Sequence, residues 1–189
     1  MLGYELPAGH RLRVGISPTY ARQAWPSPQP VTLTVFTGER SRLVLPVRTP
    51  QPDDGRIDFP PPESAPPLAV TTLRESKNSQ TLTRNQIEDR LILKIEQDEG
   101  RVRFPNEMEV DDWSLETHSL REGDPLSVEQ RVQARLAYRR RDWVVRIETE
   151  SRLTCDETHF FVENRMTGFE GDTEVFAKSW TAKIDRDHL

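Results

Sequence analysis

The sequence predicts an all-β chain, an antiparallel sandwich or jelly-roll remnant followed by a β-meander. Three observations lead there. Apolar residues recur at every second position in most stretches that look ordered. Short runs rich in glycine, aspartate or arginine separate those stretches. No window carries a 3.6-residue apolar stripe over three turns; residues 126–138 come nearest, and their alternation fits a strand better.

Composition sets the limits. The chain has 189 residues, 34% hydrophobic and 30% charged. Leu, Ile, Val and Phe contribute 17, 7, 14 and 7 residues, about a quarter of the chain, just above the ~20% below which disorder becomes the better expectation. A folded domain with a thin core and a wet surface follows. No apolar run approaches the ~18 residues of a membrane helix, and the opening MLGYELPAGH lacks a charged segment followed by an apolar one, so neither membrane nor secretion is expected. The single cysteine, Cys155, excludes an internal disulfide and any cysteine-built zinc or iron–sulfur site, and a cytoplasmic setting is the expectation. A net charge of −5 gives no reason to expect nucleic acid. The sign is uneven, because residues 1–50 hold six Arg against two Glu, which reads as solvated faces or a docking surface.

In chain order, residues 1–48 read as partial jelly-roll strands. Leu12, Val14 and Ile16 alternate with arginines, Val31, Leu33 and Val35 with threonines, and Leu43, Leu45 and Val47 form a third set after the turn Thr37-Gly38-Glu39-Arg40. Three strands do not close a sandwich, so this piece looks incomplete. Residues 49–76 read as a connector, with polyproline character over 49–68. Eleven of fifteen prolines lie between Pro26 and Pro67, and proline lacks the N–H that a central strand needs. Residues 77–189 read as a meander of five or six strands. Segments 90–96 and 101–104 flank a turn at Gln97-Asp98-Glu99-Gly100. Val128, Gln130, Val132, Ala134, Leu136 and Tyr138 share a face of a long strand that reverses at 139–142. Trp143, Val145 and Ile147 begin its return. Segments 159–167 and 174–184 follow, with Phe176, Trp180, Ala182 and Ile184 on one face.

The search for chemistry yields no catalytic, cofactor-binding or metal-ligating residue. Gly15-Ile16-Ser17-Pro18-Thr19 is the nearest approach to a nucleophile elbow, but the second glycine is absent, and Pro18 cannot donate the oxyanion hydrogen bond. His10, His118, His159 and His188 never occur at ligand spacing. Cys155-Asp156-Glu157-Thr158-His159 reads as a turn, since a strand would point Asp156 and Thr158 away from His159. Asp53-Asp54 and Asp111-Asp112 read as turn aspartates. Asp98, Glu99 and Gly100 do not extend to a calcium loop, and no glycine loop cradles phosphate. Trp25, Trp113, Trp143 and Trp180 lie on separate elements and read as packing residues.

One segment is more specific. Pro7-Ala8-Gly9-His10-Arg11-Leu12-Arg13, within Tyr4 to Pro18, resembles the late-strand signature of the C-terminal β-domain of CocE/NonD (cocaine-esterase-like, X-Pro dipeptidyl-peptidase) serine hydrolases. Trp25-Pro26-Ser27-Pro28, Val31-Thr32-Leu33 and Ser41 to Val47 continue the resemblance to Arg48. Residues 143–149 and 155–160 are similar to the tail of many bacterial members. The resemblance implies a jelly roll packed on an α/β-hydrolase domain that carries the serine, histidine and aspartate of catalysis. None of the matched positions is catalytic, and the hydrolase domain and opening strands are not in this sequence. The expectation is therefore a non-catalytic accessory domain, whether fragment, truncated product or separate subunit. Its partner would be the hydrolase domain or a second copy, and no cofactor is implied. The alternative is a self-standing small barrel binding a hydrophobic or sugar ligand, lined by Trp143, Trp180, Phe160 and Phe176; an independent enzyme is the weakest reading.

Overall fold

The computed structural model describes residues 6–20, 24–56 and 60–187, and its described residues are all-β apart from one 3-10 turn at Asp54–Arg56. Eight strands form one antiparallel sheet: β1 (Thr71–Arg74), β2 (Ser79–Asn85), β3 (Arg90–Arg103), β4 (Glu109–Arg121), β5 (Asp124–Arg140), β6 (Trp143–Cys155), β7 (His159–Glu170) and β8 (Thr173–Asp185). From β3 to β8 each strand pairs with the next in sequence, while β1 and β2 lie end to end along the outer edge of β3. The meander follows from the turns. Glu122-Gly123, Arg141-Asp142 and Gly171-Asp172 are two-residue connections, and such tight turns hold consecutive strands in antiparallel register.

The all-β expectation holds, but the finer readings need correction. Among the described residues there is no second layer, and β8 does not pair with β1 or β2, so the sheet is neither a sandwich nor a closed barrel. The three N-terminal segments at 12–16, 31–35 and 43–47 form no strand and have no strand pairing. The connector ends earlier than residue 76, because Thr71–Arg74 already forms β1. Residues 97–100 do not reverse the chain: β3 runs through them to Arg103, with a bulge between Asp98 and Gly100. The bulge has a steric reason. Gly100 adopts φ +78°, and a Cβ there would run into the Arg74 carbonyl and the backbone of Glu75 and Ser76, where β1 passes into β2.

Pairing assigns every side chain to a face. Val132 lies beside Glu116 and Ser151, and Leu136 beside Asp112 and Ile147, on a face that gathers the even-numbered apolar positions of β5. The opposite face is charged: Arg131, Arg135 and Arg139 alternate along β5 and lie beside Arg152, Glu148 and Val144 of β6. Cross-strand ion pairs knit it together, including Arg131 with Glu150, Arg152 with Glu129 and Glu163, and Arg103 with Glu109.

Little is buried between layers. Among the described residues Val128 and Ala137 are the buried hydrophobic ones, and no large side chain is fully buried. The accessible surface is 15831 Å². A compact chain of 21.9 kDa would expose about 9,300 Å². The difference comes from a sheet without a covering layer and an N-terminal region without a sheet.

Candidate functional site

Three features outside the pairing of the sheet carry the surface chemistry: the unpaired N-terminal segments, the seam that fastens them to the sheet, and a charged cluster on the polar face.

The N-terminal segments have no strand partners among the described residues. Leu12, Val14, Ile16, Val31, Leu33, Val35, Leu43, Leu45 and Val47 all stand exposed, from 43% at Leu45 to 87% at Val47. Pro7-Ala8-Gly9-His10 forms the predicted turn, with His10 N–H donating to the Pro7 carbonyl at 3.1 Å and Gly9 at φ +84°. Ser17 Oγ donates to the Thr19 carbonyl at 2.6 Å, so it serves a turn.

The seam is built around Trp25. Its Nε1 donates to Cys155 Sγ at 3.2 Å, and its ring meets Phe160 edge-on at 5.6 Å between centroids. Arg186 closes the same corner. Its guanidinium lies 4.8 Å from the Phe160 centroid and donates to the carbonyls of Asp156 at 3.0 Å and Pro26 at 2.6 Å. Arg186 is only 8% exposed. The proline-rich stretch at Pro18, Pro26 and Pro30 then lies beside Leu120, Pro125 and Val128, leaving a groove of about 350 Å³. Beneath the seam, the Cys155–His159 segment is the predicted turn. Asp156 Oδ1 accepts from the backbone N–H groups of Thr158 and His159, both at 2.7 Å, and the Thr158 N–H leads in holding that carboxyl below its ordinary range.

On the charged face, Asp111 is 4% exposed and has guanidinium groups from two neighbouring strands and the edge around it. Arg74 lies at 3.0 Å, Arg101 at 3.1 Å, Arg135 at 3.7 Å and Arg139 at 3.8 Å. Asp98 bonds Arg74, and that bond is the main reason its carboxyl sits below the ordinary range. Beside this cluster an open depression of about 570 Å³ runs over Trp113, Arg135, Glu148, Arg165 and Phe169. Around it Arg146 bonds Glu148 at 2.8 Å and stacks on Phe169 at 4.0 Å, and Trp113 Nε1 donates to Glu96 at 2.9 Å. The cluster ties β1, β3, β4 and β5 together and presents no free nucleophile or acid.

The turn reading of Asp111-Asp112 is therefore overturned: both lie within β4, and Asp111 is the anchor of the arginines. The turn reading of Asp53-Asp54 fits, since Asp54 accepts from the Gln51 N–H at 2.7 Å and pairs with Arg48. Phe160, Phe176, Trp180 and Trp143 share the apolar face but lie on strands of an open sheet, so they line no barrel mouth. Among the described residues, no group of three or more His, Cys, Asp and Glu is placed to hold a metal ion, and no helix is long and apolar enough to cross a membrane. His188 and the Tyr4-Glu5 start of the resemblance lie outside the described residues. Sequence reasoning missed Arg186 and the Asp111 cluster. Both depend on partners far apart in sequence: Pro26 lies 160 residues from Arg186, and Arg74 lies 37 from Asp111.

No protein-family model, curated protein or solved structure matches the chain.

Proposed function

We propose that the chain is a non-catalytic accessory β-domain whose N-terminal segments complete a sheet supplied by an α/β-hydrolase of the CocE/NonD type. One observation carries this reading: three alternating segments keep their apolar sides exposed and their backbones unpaired, beside a meander in which the same alternation pairs throughout. Extended backbone with an apolar stripe is suited to strand addition, in which main-chain hydrogen bonds give affinity and alternate side chains give specificity. The resemblance of residues 4–48 to the late strands of the family's jelly roll supplies the kind of partner. Ser17, engaged in its turn, takes no part in hydrolysis. The accessory domain would cover the hydrolase and shape access to its site.

The test pairs the pure chain with a CocE/NonD-type hydrolase domain expressed without its own C-terminal region. The expected result is a one-to-one complex that forms with wild-type chain, fails with Leu12→Asp/Val14→Asp, and hydrolyses ester or X-Pro amide only through the partner's serine. Hydrolysis by the chain alone that survives Ser17→Ala would overturn the reading, as would a hydrolase indifferent to the chain.

A further inference from the structure

The apolar face of the sheet is a second unpartnered surface, separate from the N-terminal segments. The seam around Trp25 covers only the corner near Val128, Cys155 and Phe160. Beyond it, Val132, Leu136, Ile147, Met166, Phe176 and Trp180 belong to a face on which no other described strand packs, and Ile147 and Trp180 are 43% and 42% exposed. A sheet with one apolar face is stable in water when a second layer covers that face.

We infer that the second layer is the same face of another copy of this chain, two sheets packed face to face about a twofold axis. The area fits. Six strands about 4.8 Å apart, uncovered over about ten residues of length, present roughly 1,000 Å² per copy, or 2,000 Å² per pair. Stable interfaces bury about 1,200–2,000 Å² in total, and permanent homodimers more. The charge pattern fits as well. The centre of the face, on β5 and β6, holds Val132, Ala134, Leu136, Ile147, Thr149 and Ser151, all uncharged. Asp112 lies to one side on β4, next to a Glu116 that bonds His118 at 3.1 Å, and Lys178 lies to the other on β8, over the Trp180 ring. A twofold axis along the β5–β6 seam lays the Asp112 side of each copy over the Lys178 side of its partner, as an isologous interface requires. On the charged face the pairs Arg131–Glu150, Arg152–Glu129 and Arg101–Asp111 are already made within the sheet.

Light scattering on the purified full chain tests this. The expected mass is about 44 kDa, twice the 21.9 kDa of one chain. Leu136→Lys should give the monomer mass, and Leu115→Lys on the charged face should leave the dimer intact. Because Leu136→Lys can also disturb folding, a second measurement uses Ala134→Cys in a Cys155→Ser background with a short thiol cross-linker. A covalent dimer is expected there, and none from Gln133→Cys on the opposite face. A wild-type monomer at every concentration would overturn the inference. So would equal cross-linking at both positions, or a dimer lost by Leu12→Asp but not by Leu136→Lys. The N-terminal segments play no part in this argument, so failure of the hydrolase pairing leaves it standing.

Discussion

Residues 10–47 and residues 90–185 follow the same period-two pattern, yet one region stays unpaired and the other builds a long meander. Val31-Thr32-Leu33-Thr34-Val35 alternates as cleanly as Leu126 to Tyr138. The difference lies in what surrounds each stretch. The meander strands are 12–17 residues long from β3 to β8, joined by short turns that deliver the next strand directly alongside. The N-terminal segments are short and interrupted by Pro18, Pro26, Pro28 and Pro30, so no neighbour is delivered. Alternation marks which backbone can become a strand; pairing needs a partner within reach.

The largest effects are expected in the sheet. Asp111→Ala would leave four arginines around an empty centre and should destabilise the sheet by about 2–4 kcal/mol in denaturant unfolding, given the cost of removing one member of a buried ionic group. An Asp111→Ala chain as stable as wild type would mean the cluster is ornamental. Gly100→Ala forces a left-handed residue and a Cβ into the backbone of β1, with a cost of roughly 2–3 kcal/mol expected by the same measurement.

The seam is the next level. Arg186→Ala removes the hydrogen bonds to the Asp156 and Pro26 carbonyls and the contact with Phe160, and should cost about 1–2 kcal/mol. The effect should be local, with faster proteolysis before residue 50 and a change in Trp25 fluorescence, while the β signal of circular dichroism persists. Uniform loss of the sheet would show that the seam is part of the core instead.

Acid weakens the sheet through its paired carboxylates. Asp98 is held below its ordinary 3.8 by Arg74, and Glu129 below its ordinary 4.5 by Arg152. The folded sheet therefore binds fewer protons than the unfolded chain in that range, so this stability is present above about pH 4.5 and is lost as pH falls through the lowered values. A pH titration of unfolding midpoints should decline below pH 4, less steeply in Glu129→Gln. The smallest effect belongs to the other region: Leu45→Asp, on an exposed and unpaired segment, should shift stability of the isolated chain by less than about 0.5 kcal/mol.

Much of the sheet was legible in the sequence. The shared face of Val128 to Tyr138, the reversal at 139–142 and the face of Phe176, Trp180, Ala182 and Ile184 all read directly from alternation. Ser79–Asn85 and Glu109–Arg121 were not legible, because neither carries an apolar stripe at every second position: Leu82 stands alone in the first, and Val110, Trp113, Leu115 and Leu120 of the second are split between both faces. The Gln97–Gly100 turn failed for a related reason, since a glycine that closes a hairpin looks the same as one that makes room for a crossing strand. The seam was illegible because Trp25 and Cys155 are 130 residues apart.

Amide hydrogen exchange on the isolated chain tests the central claim most directly. Slow exchange through 90–103, 109–121 and 124–170, with residues 10–16, 31–35 and 43–47 exchanging at the rate of unstructured peptide, is the predicted result. Protection of those three segments in the chain alone would contradict it, because they would then have found their pairing partners without another protein.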